Sequence, residues 1–228
     1  MRNFKMIPAA LAASVLASAV AAPSALAADV DASAAVASSY LFRGVDLGNG
    51  SAAVSGDINI SEAGFYAGVW GSSGDDSLGA EYDVYGGWSG EVGGLSVDVG
   101  ALTYMYPKDP ASDSFGDFSE VYVSLGVAGV TLSIFDNVAG GNGYIYYALS
   151  GDIGPWSLTL GMADPDTADD PATTMINESA DDYVHFDATY NYNDNLSFTL
   201  SKVVDDDENA GVDDDTNFVV TYSIPLTK

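Results

Sequence analysis

Cysteine is absent from this chain, which excludes a disulfide framework and a thiolate metal site. Basic residues are scarce, six Lys and Arg against 33 Asp and Glu, for a formal net charge of −27. A field of that sign repels nucleic acid and anionic lipid surfaces, so no nucleic-acid partner is expected. Histidine occurs once, at His185. Long apolar runs are also missing. After residue 27 no helical period persists, and nothing approaches the roughly 20 residues a spanning helix needs.

What is present begins with a targeting segment. Arg2 and Lys5 form a basic n-region and 7–20 a short apolar run, and Pro23 precedes the small-x-small cleavage site Ala25-Leu26-Ala27. The run is too short and alanine-rich to be retained as a span. The sequence therefore predicts a secretory signal peptide over 1–27 and one domain over 28–228. Cleavage after Ala27 leaves Arg43, Lys108, Lys202 and Lys228 as the basic residues, and export argues against a cytoplasmic enzyme.

Downstream, apolar and polar residues alternate with period two, the mark of half-buried strands. Val121, Val123 and Leu125 oppose Glu120, Tyr122 and Ser124; Val184, Phe186 and Ala188 oppose His185, Asp187 and Thr189. Val30 to Arg43 reads as one first strand, with Val36, Tyr40 and Phe42 on the apolar face and Asp31, Ser39 and Arg43 on the polar face. The stretch from Phe65 to Trp70 is apolar on both faces. About twelve such segments of roughly nine to eleven residues have the length of tilted strands crossing a bilayer.

The connections alternate too. Tight turns at 61–63, 90–94, 128–129, 151–155 and 193–195 face longer acidic loops at 72–79, 107–117, 164–182 and 205–215, with the short 137–141 as an exception. Short turns on one side and long loops on the other is the layout of an outer-membrane barrel. Trp88 and Trp156 near the tight turns and Trp70 near a long loop suit interfacial aromatic girdles. The expected fold class is all-β: a closed antiparallel transmembrane β-barrel, since an open sheet edge in hydrocarbon would leave backbone groups unpaired. A soluble β-sandwich, which also alternates, is the alternative.

Three blocks in the first third, "SSYLFRGVDLG" (38–48), "GFYAGVWGS" (64–72) and "EYDVYGGW" (81–88), together resemble the TorF family of porins. The resemblance implies an outer-membrane barrel with a transport role and no catalytic residues. Beyond Gly94 only the strand-and-turn rhythm is shared.

No motif carries catalysis. A barrel phospholipase needs a serine and a histidine in hydrogen-bond reach, and nothing singles out a serine for His185, which reads as a polar lumen residue. Asp205, Asp207 and Asn209 have the opening spacing of an EF-hand loop, but Ala210 takes the glycine position and Thr216 the place of the closing glutamate. No specific metal or cofactor site is expected, only loosely held divalent cations at the acidic loops, bridging to lipopolysaccharide.

By parity Asp31, Asp57, Glu81, Asp83, Asp98, Glu120, His185 and Asp187 point into the lumen, with Arg43. Burying so many carboxylates dry costs several kcal/mol each unless they are paired, so the lumen is expected to be hydrated and to favour cations over anions. The expected function is an outer-membrane channel for passive diffusion of small cationic or neutral solutes, with outer-membrane lipid and lipopolysaccharide as partners and monomer or trimer left open. The alternatives are a non-conducting structural or surface-interaction barrel and, third, a barrel enzyme. Arg43 is expected at the outer end of the first strand, paired with an inward carboxylate.

Overall fold

The computed structural model describes residues 28–141, 143–164, 182–206 and 214–227. The segment 1–27 and most of the acidic stretches 164–182 and 205–215 lie outside the described residues, and with them the signal-peptide and calcium readings.

Twelve strands close into one antiparallel barrel. In chain order, β1 (Asp29–Ala37) is followed by a small hairpin, β2 (Leu41–Phe42) and β3 (Val45–Asp46). Next come β4 (Ala53–Glu62), β5 (Phe65–Asp75), β6 (Gly79–Val92), β7 (Leu95–Met105) and β8 (Phe118–Val127). The circuit continues with β9 (Val130–Ala139), β10 (Ile145–Ile153), β11 (Trp156–Asp164), β12 (Tyr183–Asn191), β13 (Leu196–Asp206) and β14 (Asn217–Pro225). β1 pairs with β4 across the hairpin. On its other edge it pairs with β14, Ala37 opposite Thr221, and this closes the circuit.

The period-two pattern becomes an inside and an outside. On β8, Glu120 and Tyr122 are buried in the lumen while Val121 and Leu125 are 41% and 39% exposed. Val30, Ile58, Val69, Leu132, Leu149, Leu160, Phe186 and Ile224 are likewise outward and exposed. An apolar band running round a closed barrel is matched to hydrocarbon, and closure leaves no strand edge unpaired in it.

At one end of the barrel four of the five connections are two-residue turns, and the fifth, 192–195, has four residues. Ala63–Gly64 and Ala128–Gly129 have positive φ at both positions (52° and 85°, 53° and 84°), the type I′ geometry whose twist matches that of the flanking strands.

The walls lock by size complementarity. Tyr66 lies opposite Gly87 and Tyr85 opposite Gly68 on the facing strands, and Tyr122 opposite Gly100. In each pair a Cβ on the glycine would fall on the tyrosine ring, so the absent side chain makes the room that the inward phenol fills.

The first strand departs from expectation. β1 stops at Ala37, and after Ser38, which still bonds to Val220 of β14, the chain leaves the wall, so Tyr40 and Phe42 do not continue the outward face of Val36. Instead the β2–β3 hairpin folds into the lumen, burying Tyr40, Leu41, Val45 and Leu47. Local bonding makes it self-contained. Leu47 N donates to Tyr40 O at 2.7 Å, Ser39 Oγ donates to Asp46, and Gly48 N and Gly50 N donate to the two Asp46 oxygens at 2.9 and 2.8 Å.

Candidate functional site: the barrel lumen

Arg43 and Gly44 form the tip of the hairpin, with φ of 47° and 86°. The left-handed region costs a non-glycine residue roughly 1–2 kcal/mol, so Arg43 is held there by what surrounds it. Its guanidinium donates through Nη1 and Nη2 to the two Glu120 oxygens, both at 2.8 Å, a bidentate charge-assisted pair. Tyr104 Oη adds a bond to Glu120 at 2.9 Å and Tyr144 Oη another. Four donors on its two oxygens fill the hydrogen-bonding capacity of the carboxyl group. Burial first and the Glu120 charge second push the Tyr144 phenol above its ordinary range.

Aromatic rings complete the cage. The Arg43 carbon Cζ lies 4.3 Å from the Tyr146 ring centroid, 4.8 Å from Phe42 and 4.9 Å from Phe135, within cation–π range. Tyr183 Oη donates to Arg43 O at 3.1 Å and Ser201 Oγ to Gly44 O at 3.3 Å. A Cβ on Gly44 would collide with the His185 ring. The hairpin thus starts between β1 and β4 and reaches β8, β9, β10, β12 and β13. It crosses the bore. Arg43 is therefore a lumenal plug residue, not the outer end of the first strand.

Of the carboxylates expected on the lumen side, Glu81, Asp83, Asp98 and Glu120 are buried and Asp57 and Asp187 half-buried, whereas Asp31 is exposed; most are engaged. Glu81 accepts from Tyr40 Oη at 2.5 Å, Asp98 from Tyr66 Oη at 2.6 Å and Asp57 from Tyr85 Oη at 2.7 Å. Glu120 and Glu81 are 0% and 1% exposed, and Asp83 and Asp98 are also buried. Asp83 Oδ1 and Asp98 Oδ2 have no hydrogen-bond partner. His185 is buried and stacked on Tyr146 at 5.9 Å. Its Nε2 shares a hydrogen bond with Tyr146 Oη at 2.8 Å, and its Nδ1 one with Asp187 Oδ1 at 3.1 Å. Among the described residues, neither ring nitrogen meets a serine.

Trp70 corrects an expectation. It lies not at the lipid interface but inside, 5% exposed, with its ring 6.1 Å from Tyr40. The stretch from Phe65 to Trp70 is apolar on both faces because its inward residues are packed too, Trp70 on Tyr40 of the hairpin and Tyr66 on Tyr85. Trp88 and Trp156 face outward near the tight-turn end. Trp88 pairs in register with Phe65, and Trp156 is 42% exposed with its ring 5.1 Å from Tyr190.

Beside the hairpin the lumen keeps a cavity of about 50 Å3, bounded by β1, β4, β5, β13, β14 and the hairpin itself. The buried acids Glu81, Asp83, Asp98 and Glu120 lie on β6, β7 and β8, while Asp57 on β4 stands opposite Ser33 and Trp70 at the edge of the cavity. Tyr104, Tyr144, Tyr146 and Phe135, which build the cage, carry no motif; only their inward parity marks them.

No curated protein matches the chain. Among solved structures, the NanC porin in a rhombohedral crystal form is similar at 10% identity and a TM-score of 0.44. The match covers 86% of this chain and 98% of that one, a likeness too distant to carry function. The family model described as "Bacterial protein of unknown function (Gcw_chp)" matches residues 20–214, and the chain belongs to that family.

Proposed function

We propose that this chain is an outer-membrane channel through which small cationic or uncharged solutes diffuse passively, its bore narrowed by its own β2–β3 hairpin. One observation carries the reading: the barrel is inverted relative to a soluble protein, apolar outside and lined within by hydroxyls, carboxylates and phenols, and it keeps an unfilled cavity beside the hairpin. A polar interior in a closed barrel is the arrangement of water-filled pores. The resemblance of the first-third blocks to TorF porins supports the same reading. Outer-membrane lipid meets the apolar band, and the acidic loops approach lipopolysaccharide through loosely held divalent cations.

The hairpin favours a second reading, a barrel that does not conduct. Reconstitution in planar bilayers separates the two. Single-channel steps without anion preference are expected. Correctly folded, inserted protein that gives neither steps nor solute flux overturns the channel, and an anion-selective reversal potential overturns the contribution of lumenal charge.

A further inference from the structure

The cage around Arg43 is a recognition site whose occupant belongs to the chain itself. Glu120 presents one oxygen to each terminal guanidinium nitrogen, both at 2.8 Å, and Tyr104 and Tyr144 hold that carboxyl group by donating to it. The rings of Phe135, Tyr144 and Tyr146 stay on the barrel side, with centroids 4.9, 5.7 and 4.3 Å from Cζ. A planar, weakly hydrated cation suits a two-pronged acceptor set among rings; a compact, strongly hydrated ammonium does not. The acceptors, Glu120 and Tyr144, reach only the terminal NH2 pair, while the substituted nitrogen Nε has no hydrogen-bond partner. The cage thus reads the end of a guanidinium and not the chain that carries it.

Two features make Arg43 an exchangeable occupant. Its backbone lies in the left-handed region, at φ of 47°, a strain that an untethered guanidinium does not carry. The hairpin that presents it is a separate two-stranded sheet outside the barrel ladder. Among the described residues, wall side chains tie its tip in place, from Glu120, Tyr144, Tyr183 and Ser201.

We propose that the Glu120 cage is a lumenal binding site for monosubstituted guanidinium solutes, and that such a solute takes the place of Arg43 when the hairpin tip lifts. The chemistry of the cage stands on its own geometry; the route by which solute reaches it rests on the channel reading above. The exchange conserves the interactions, because one guanidinium leaves Glu120 and the rings as another enters. The buried carboxyl group therefore ends with a cation, and the cost of a charge left unpaired does not arise. Tethering favours Arg43, since a linked group acts at a roughly millimolar effective concentration, and its backbone strain works in the opposite direction. Free solute therefore competes at about millimolar concentration.

The test begins with Arg43→Ala, which empties the cage. Its urea midpoint in detergent is measured with methylguanidinium chloride, methylammonium chloride or KCl at equal millimolar concentrations. Should Arg43→Ala not fold, a chain with residues 41–46 replaced by a glycine-serine linker takes its place; heat-modifiable migration on gels reports folding. Methylguanidinium is expected to raise the midpoint progressively with its concentration, as binding to the folded state requires, and the other two salts to leave it where it was. Adding Glu120→Gln is expected to remove the shift. A second measurement follows the hairpin itself. The chain has no cysteine, so Val45→Cys places a single thiol in the buried hairpin, and its labelling by a maleimide is compared with that of Ser114→Cys in an exposed loop. Methylguanidinium is expected to speed labelling at position 45 several-fold and to leave position 114 unchanged. No rise in the midpoint, or an equal rise with methylammonium, overturns the site. Unchanged labelling at position 45 overturns the exchange with Arg43. Both effects in a protein that gives no single-channel steps overturn the channel reading and leave the site standing.

Discussion

Arg43 and Glu120, 77 residues apart in sequence, meet in the middle of the barrel as a two-bond pair with both side chains buried. A charge in that position is stable only while its partner is present. Arg43→Ala is expected to destabilise the barrel by about 3–5 kcal/mol, the cost of an uncompensated buried charge, as measured by urea unfolding in detergent. The Arg43→Met, Glu120→Leu double variant should lose less than Arg43→Ala, because no charge is left unpaired. A double variant worse than the single would show that the pair is not the latch of the hairpin.

Replacing residues 41–46 with a glycine-serine linker removes the plug and leaves Glu120, Asp83 and Asp98 facing water. Single-channel conductance should rise several-fold, and the reversal potential in a KCl gradient should shift toward cations, since carboxylate-lined pores favour them. Unchanged conductance would mean that the hairpin does not set the bore.

Gly44→Ala tests the seating of the hairpin tip. The position has φ of 86° and no room for a Cβ beside His185, so the substitution combines backbone strain with a clash. Its cost should exceed the roughly 1 kcal/mol expected where only the backbone conformation is incompatible, and adding His185→Ala should return part of it. No rescue in that double variant would place the tip elsewhere.

The glycine–tyrosine pairs predict coupling. Gly68→Ala displaces Tyr85 from its bond to Asp57 and should cost roughly 1–3 kcal/mol, as overpacking does. In a Tyr85→Ala background the same change should cost little. Additive effects would argue against the close approach.

Leu149 sits at the centre of β10 on the outer face, 48% exposed. Leu149→Arg should cost about 2–4 kcal/mol in a bilayer, as charge at mid-membrane depth does. In a soluble sandwich the same change would be neutral. The measurement separates the two folds without reference to conductance.

Much of the barrel is legible in the chain because two solvents meet it at once. Lipid outside and water or polar groups inside impose an alternation with no other cause, and that alternation assigns Val121, Leu149 and Phe186 to one face and Glu120, Tyr146 and His185 to the other. The tight turns are equally local: Ala63–Gly64 and Ala128–Gly129 carry their geometry in two residues. Trp70 was not legible, because a strand that packs on both faces carries no parity, and what its inner face meets is brought there from elsewhere in the chain.

By itself, then, the sequence determined the number of strands, their faces and the sign of the lumenal charge, all set by neighbours two residues apart and by the solvents they meet. Only the tertiary structure decided that the first strand ends at Ala37, that the chain beyond it folds across the lumen as a hairpin, and that Glu120 is the carboxylate on which Arg43 closes. A left-handed turn at Arg43 is unfavourable on its own, and its stabilisation comes from Glu120, Tyr104, Tyr144 and Tyr146, residues with no periodic relation to it. That same inward turn confines the open space to the side of β1, β4, β5, β13 and β14.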